Sequence, residues 1–577
     1  MRFVIAIVMF VVSAVMITVG IAQRTVLAPP DSIVHAVEVD GDAPVVVIDG
    51  ATLNAVPGRQ TISISGADRI VAAYGRTVDV NAWIGDARHA VVSFSDETGE
   101  LVSTVVDGEE KPLPDLFGSD LWLDDYQDEG SLRLSVTVPE DVSFIIASDG
   151  VEPAPDAIEL SWPVDNSNPV SGWLIVLGGA VLVVGLVILL WAIHHMRSTR
   201  GPRRKMPKVP KQRAFKPIRS KSGDDGGGRV GMAVASTVAV LVGALALGPA
   251  ASATETPTPS PTPTSEQQGE PIPAITARQI TRVVERIAAT LKEADANRDP
   301  VLAATRLTGA ALELRTADYA IRAADGGIAS AVPVIPENAT VRLALPQQIP
   351  ASGDGWPRTV LAVLAAPDDE EAEPVPSVAL VLTQASAREN YKAESFVTLQ
   401  SDVPEVAETA IGAAKLSPDT QLLAMSPQQV AAAYADVLAN GDASQYAASF
   451  DLADDSLVPL WGVASMDAIR AALPAVAQAS FQTTPGTNPV VALATFDAGA
   501  IVALDLRQSV TVTPTEAGAT VSPTGSVKAL SGLSSSERGI VATYGAQLLF
   551  AVPPVDSTAP IVLLGYSQGL VSAGQIP

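Results

Sequence analysis

The residues best placed for covalent chemistry are Gly565-Tyr566-Ser567-Gln568-Gly569, a Gly-x-Ser-x-Gly run directly after the apolar stretch Ile561–Leu564. In a nucleophile elbow this pattern lifts a serine hydroxyl out of a sharp strand-to-helix turn. A serine attacks only when a base takes its proton. The four histidines, His35, His89, His194 and His195, all precede residue 196, and none of Lys292, Lys392, Lys415 and Lys528 stands in a Ser-x-x-Lys arrangement. Ser567 is therefore expected in a turn after a last strand, without a catalytic role.

The second candidate chemistry is acidic. Asp40-x-Asp42 has the form that holds a metal–nucleotide. Asp124-Asp125-x-x-Asp128, with Asp120 and Glu129 beside it, has the form that holds magnesium–diphosphate. Both need a strand end in a nucleotide-binding α/β domain or a long helix, and the surrounding sequence predicts neither. A solvated acidic loop is expected, with structural calcium as the alternative, because loop carboxylates suit a hard cation. His194-His195 reads as polar residues at the end of a membrane span and not as a metal pair. The chain has no cysteine, which excludes disulfides, thiolate chemistry and Cys-ligated metals. No P-loop, Rossmann glycine pattern or metal triad appears. The sequence thus assigns no catalytic, cofactor-binding or metal residue, and no cofactor.

Charge is divided sharply along the 577 residues, whose net is −26. Residues 25–170 carry six Lys or Arg against 27 Asp or Glu; residues 197–229 carry twelve against two; residues 254–577 carry 17 against 34. Mean hydropathy is +0.28, and the excess sits in three segments. Phe3–Ala22 and Trp173–Ile193 each have the roughly 20 apolar residues that cross a bilayer, and Trp173 and Trp191 suit the headgroup level. Val230–Ala251 is weaker. The basic run between the second and third segments predicts a cytoplasmic loop. The N-terminus is then inside, while residues 25–170 and everything after Ala253 lie outside. For the first segment an uncleaved anchor is expected over a signal peptide. The third has two readings: a span, which is the expectation, or an internal signal cut after Ala251-Ser252-Ala253.

The elements that must position any site follow. We read 1–24 as an N-terminal anchor and 25–170 as a β-rich extracytoplasmic domain. Residues 171–196 are a second span, 197–229 a basic cytoplasmic loop, and 230–251 the third segment. A Pro/Thr-rich stalk at 252–273 favours extended polyproline conformation. Two α+β subdomains occupy 274–410 and 411–577. In the first domain, β-branched runs about ten residues apart predict an all-β sandwich or jelly roll. In the remainder a helices-then-strands order occurs twice. Helical pattern runs from Ala277 to Ala324, broken near Asn297–Pro300, and again from Ser426-Pro427, with another helix at Met466–Ala477. Ala296-Asn297-Arg298-Asp299 parallels Ala439-Asn440-Gly441-Asp442 at the end of each first helix.

The segment AYADVLANGDASQYAASF, Ala433–Phe450, resembles the opening helices of the NTF2-like, cone-shaped α+β fold, which implies one such unit or two in tandem. Enzymes of that fold use polar groups inside the cone, so the resemblance implies Asp299, Asp318, Tyr319, Tyr434, Asp442 and Tyr446 as residues that line such cavities. The letters Gly565–Gly569 are similar to a cutinase-type elbow. The whole layout, rich in Ala, Val, Asp, Pro and Thr, resembles uncharacterised actinobacterial multi-span envelope proteins, some labelled glycosyltransferases. The expected fold class is a membrane-anchored mixed chain with three transmembrane helices. The expected function is a non-enzymatic envelope scaffold, accessory or binding protein at the plasma membrane. An envelope glycan-related enzyme or glycosyltransferase component is the alternative. Expected partners are the membrane, anionic lipid at the basic loop, and an envelope protein or glycan, with no nucleic acid.

Overall fold

Helix α1 (Arg2–Thr25) is built almost wholly from β-branched and aliphatic residues. The computed structural model to which it belongs describes residues 1–26, 32–39, 43–109, 111–163, 169–198, 270–366 and 375–577. The chain divides into two units. One takes in Met1–Pro30 and Asn166–Gln267, the other Asp31–Asp165 and Gln268–Pro577.

After α1 come β1 (Ser32–Glu38), β2 (Val45–Ile48), α2 (Gly50–Leu53), β3 (Gln60–Arg76), α3 (Thr77–Ile84), β4 (His89–Ser95), β5 (Glu100–Val106), β6 (Asp124–Val136), β7 (Val142–Ala147) and β8 (Ala157–Pro163). The sandwich expectation is corrected here. The strands form one sheet in the order β1-β8-β3-β7-β2-β4-β5, with β6 also paired to β3. One pair, β2 with β4, is parallel. Strand β3 changes partner near Gly66. The ladder shifts register between Ser65 and Arg69, Gly66 has φ +100°, and β3 exchanges β8 for β7 as a partner there. Both faces are covered. Ile62, Ile64, Ile70, Phe144 and Ile146 enter one core, while Val45, Val47, Val71 and Ile145 pack under Val80, Trp83 and Trp122. Covering the second face requires α3, an element the sequence reading lacked.

Helix α4 (Pro169–Ser198) packs against α1. Ser13 Oγ donates to the Gly178 carbonyl at 2.7 Å. A Cβ on Gly178 would come within 2.8 Å of Ile17, and one on Gly185 within 3.3 Å of Met9. Two glycines seven apart thus let the backbones approach, as small residues do between membrane helices. Windows within Phe3–Gln23 and Gly172–Ser198 are long and apolar enough to cross a membrane, and only 17% and 11% of them are buried, unlike core helices of a soluble unit. The third segment, the stalk up to Gly269, and the loop from Thr199 lie outside the described residues.

The remainder runs β9 (Ile272–Pro273), α5 (Ala277–Asn297), α6 (Pro300–Ala304), α7 (Gly309–Ala324), β10 (Thr340–Pro346), β11 (Gln348–Ile349), β12 (Arg358–Ala365), β13 (Val378–Gln384), β14 (Lys392–Leu399), α8 (Pro427–Asn440), α9 (Val458–Trp461), α10 (Val463–Ala472), β15 (Ala477–Pro485), β16 (Val491–Ala494), β17 (Ala500–Pro514), α11 (Gly525–Ser531), β18 (Ile540–Val552) and β19 (Val562–Gln575). Thr276 and Gln279 close a reciprocal capping box at the start of α5. Both helix stops read from Asn-x-Asp give the middle residue a positive φ: Arg298 is a left-handed helical cap at φ 52°, ψ 47°, and Gly441, at φ 55°, ψ −132°, takes a conformation that suits glycine. The helix expected at Met466–Ala477 ends at Ala472, and Ala477 opens a strand.

The strands of residues 274–410 and 411–577, read from the sequence as two α+β subdomains, lie in one sheet, in the order β10-β12-β13-β14-β19-β18-β17-β15 with β16 on β17. Helix α5 covers the first half through Ile280, Val283, Ile287 and Leu291. Helix α8 covers the second through Val430, Tyr434, Val437 and Leu438. The opposite faces meet: Leu361, Val363 and Val381 from one half share a core with Ile501, Ala503 and Leu549 from the other.

Candidate functional site

Ser567 lies inside strand β19, not in a turn after it, which corrects the expectation. Strands β14 and β19 pair at only two positions, Thr398 with Tyr566 and Leu399 with Gly565. Phe396, two residues earlier, has no β19 backbone partner, and two side chains take that role. Gln547 Oε1 accepts from the Phe396 N–H at 2.7 Å, and Ser567 Oγ donates to the Phe396 carbonyl. The motif glycines have packing reasons of their own. A Cβ on Gly565 would sit 2.3 Å from the Thr398 carbonyl oxygen, and one on Gly569 would sit 2.7 Å from Leu314 of α7. The spacing Gly-x-Ser-x-Gly therefore follows from a strand pressed between β14 and α7.

The acidic cluster is also corrected: its central members are not solvated. Arg278, Arg282 and Arg286 recur every four residues on α5 and so share one face. Arg278 and Arg282 reach the two oxygens of Asp124 at 2.9 and 3.0 Å. Arg286 contacts Asp125 at 3.2 Å, Asp120 at 3.3 Å, and the Gly118 carbonyl at 3.0 Å. Asp120, buried, also accepts from Arg306 and from the Tyr391 N–H at 3.0 Å. Arginine suits such a site because its planar fork engages several acceptors at once. Asp128 and Glu129 stay exposed on β6. Among the described residues no three His, Asp or Glu side chains converge to hold a metal ion, so the calcium alternative gains nothing there. Asp40 and Asp42 lie outside the described residues.

The same face continues around α3. Arg358 Nη2 donates to Asp79 at 2.6 Å, and the guanidinium lies 3.9 Å from the Trp356 ring centroid. Arg388 donates to the Trp83 and Ile84 carbonyls at 2.7 and 2.8 Å. Arg76 donates to the Pro273 carbonyl at 2.7 Å, and burial draws its guanidinium below the usual arginine range, with Asp79 opposing. Ala387 packs into the apolar core of Trp83 and Trp122. Residues 31–165 and residues 270–577 thus close on each other through both ionic and apolar contacts.

The six residues implied by the cone do not converge. Asp299 caps α6 by accepting from Val301 and Leu302 N–H groups. Asp318 accepts from Arg322, Ser330 and the Ala331 N–H. Tyr319 OH donates to Asp295 at 2.5 Å, and Arg315 holds both oxygens of that carboxylate. Tyr434 OH donates to Asp455 Oδ2 at 2.6 Å, while Oδ1 accepts from the Leu457 and Val458 N–H groups. Burial raises the Asp455 carboxyl above its usual range, and the Tyr434 hydrogen bond opposes this. Asp442 is exposed after α8, and Tyr446 packs half-buried near Tyr434. A further polar strip had no motif to announce it. Glu394 accepts from Thr383 at 3.0 Å, and Lys415 donates to Thr359 at 3.0 Å, with the two threonines directly opposite across β12 and β13. Burial raises Glu394 and lowers Lys415.

A family profile described as a domain of unknown function, DUF8094, matches residues 271–575, more than half the chain. The chain belongs to the DUF8094 family. No curated protein and no solved structure matches it. The DUF8094 match runs from the start of β9 to the end of β19, so it takes in both halves of the nine-stranded sheet as one piece. It supplies Arg278, Arg282, Arg286, Arg306, Arg358 and Arg388 to the ionic face, and the acceptors Asp79, Asp120, Asp124 and Asp125 come from outside the match. The sequence carried one signal for this face, the arginines at i, i+4, i+8 on a helix otherwise read for its apolar stripe.

Proposed function

We propose that this chain is a membrane-anchored, non-enzymatic binding or scaffold protein of the cell envelope, whose DUF8094 domain is docked outside the membrane onto residues 31–165. The observation that carries the reading is the contact of Arg282 and Arg286 with Asp124 and Asp125. Residues 31–165 lie between α1 and α4. If both helices span, the chain after α4 is on the opposite side from residues 31–165. Residues 270–577 nevertheless pack against 31–165, so the chain crosses once more between Ser198 and Glu270. Val230–Ala251 is the apolar stretch available for that crossing, giving three transmembrane helices. The twelve basic residues of 197–229 favour the cytoplasmic side, next to anionic lipid, with the acidic parts outside.

Support for a binding role is chemical. The Ser567 hydroxyl and the Asp120, Asp295 and Asp455 carboxylates are each engaged by protein partners. The seating of α8 on β17 and β18 supports the NTF2-like reading of the second half, through Tyr434 against Phe550 at 5.0 Å. The partner is an envelope protein or glycan.

Topology tests this reading. The chain has no native cysteine, so Thr98→Cys, Ser220→Cys and Ser260→Cys are clean reporters. Thr98 is exposed between β4 and β5. A membrane-impermeant maleimide on whole cells labels positions 98 and 260, and labels 220 only after lysis. Labelling of 220 in intact cells overturns the proposal.

A further inference from the structure

We infer that the seam where β14 meets β19 is a binding cleft for an uncharged, polyhydroxylated molecule, a sugar unit. The inference rests on the binding-protein reading and adds the ligand's chemical class. The cleft has a volume of about 380 Å³, within the roughly 300–1,000 Å³ of small-molecule sites. Its floor is set by strand periodicity. Thr398 stands opposite Tyr566 in the ladder, and Gln568 follows two residues along β19, so these three side chains share one face, while Gln400 lies just past the end of β14 and lines the same cleft. Ser456 and the segment Ala331–Pro333 form the walls.

The ligand class follows from which groups are present. None of the ten lining residues is charged, in a chain where 17% of residues are. An anion would be left without a cation, and a cation without a carboxylate. An apolar ligand would strip water from amides and hydroxyls and give nothing back, at a cost for each group. What remains is a neutral molecule that both donates and accepts. An amide does both, and so does a hydroxyl. The Gln568 amide and the Thr398 hydroxyl have no partner among the described residues. The Tyr566 hydroxyl makes only 3.4 Å contacts to Ser456. Gln400 is held by Ser456 and by the Leu563 carbonyl at 3.1 Å, which fixes its direction. Fixed and free polar groups around one aromatic ring match a ring of vicinal hydroxyls with an apolar C–H face.

The test uses the full chain in nanodiscs, avoiding sugar-headed detergents. Saturation-transfer difference NMR is run with glucose, galactose, mannose, arabinose and N-acetylglucosamine, and with glucuronate as the charged control. At least one neutral sugar receives saturation, and glucuronate does not. Gln568→Ala and Thr398→Val each weaken the apparent Kd by about fivefold, the effect of one lost hydrogen bond. No transfer to any neutral sugar from a chain with an unchanged melting curve overturns the inference, as does equal transfer to glucuronate or binding unaltered in both variants. If position 98 labels from outside while no sugar binds, the cleft assignment fails and the topology stands; inside labelling defeats the reading beneath it.

Discussion

Arg358 on β12 donates to Asp79 on α3 at 2.6 Å, with both side chains buried. The two residues are 279 positions apart, and the pair joins the part of the chain before α4 to the part from Glu270 onward. Removing one partner of a buried pair leaves an uncompensated charge, which costs about 3–5 kcal/mol. Asp79→Ala is therefore expected to lower stability by that amount, measured by denaturant unfolding of the full chain followed by tryptophan fluorescence. Asp79→Leu with Arg358→Met recovers part of the loss, because the Arg358 charge goes with its partner while Arg76 still lacks Asp79. A single-variant loss below about 1 kcal/mol, typical of exposed pairs, would show that the pair is not buried as described.

Ser567→Ala leaves the Phe396 carbonyl without its donor, and a buried unsatisfied acceptor costs about 1–3 kcal/mol. Gly569→Ala pushes a methyl against Leu314 and is expected to destabilise as well, by about 1–3 kcal/mol as overpacking does. Thermal melts of both variants check this. A nucleophile would behave otherwise: Ser567→Ala would leave stability intact and abolish labelling by a fluorophosphonate, which the native serine is expected not to take up.

Glu394 gives a pH dependence with a defined sign. Burial raises its folded pKa above the free value of 4.5, so ionisation works against the fold. Its contribution to stability is full below the unfolded pKa and is lost as pH rises through the folded one. Glu394→Gln is thus expected to raise the melting temperature at pH 7, by an amount that shrinks toward zero as pH falls to 4. A variant less stable than the native chain at pH 7 would mean that the Lys415 attraction outweighs burial.

The sequence showed most of the elements and little of what joins them. The helical pattern from Ala277, its break near Asn297–Pro300, and the Ser426-Pro427 start of α8 are local patterns, and local patterns were readable. Helix α3 was not, because TVDVNAWI is too short and too β-branched for a 3.6-residue period to stand out. Strand β15, AQASFQTTP, is an exposed edge strand whose polar alternation followed directly on a helix. The single sheet was hidden because β14 and β19 meet at two residue pairs 166 to 168 positions apart. The acidic loop was misjudged for the same reason: its counter-charges lie on a helix more than 150 residues later. Ser567 looked like chemistry because packing of β19 against β14 and α7 demands the same glycine spacing that an elbow does.

The docked interface changes what cleavage near Ala253 would look like. A chain cut there would still be held by Arg282, Arg286 and Arg358, so a soluble fragment in the medium is not the expected mark of processing. The most direct measurement is to insert a specific protease site after Gln267, cut it in washed membranes at physiological salt, and assay where residues 268–577 go. Retention with the membrane pellet is predicted, with release when Asp120→Ala and Asp124→Ala are combined with Asp79→Ala. Immediate release of the native C-terminal part into the supernatant would contradict the docking, and with it the argument for a third crossing.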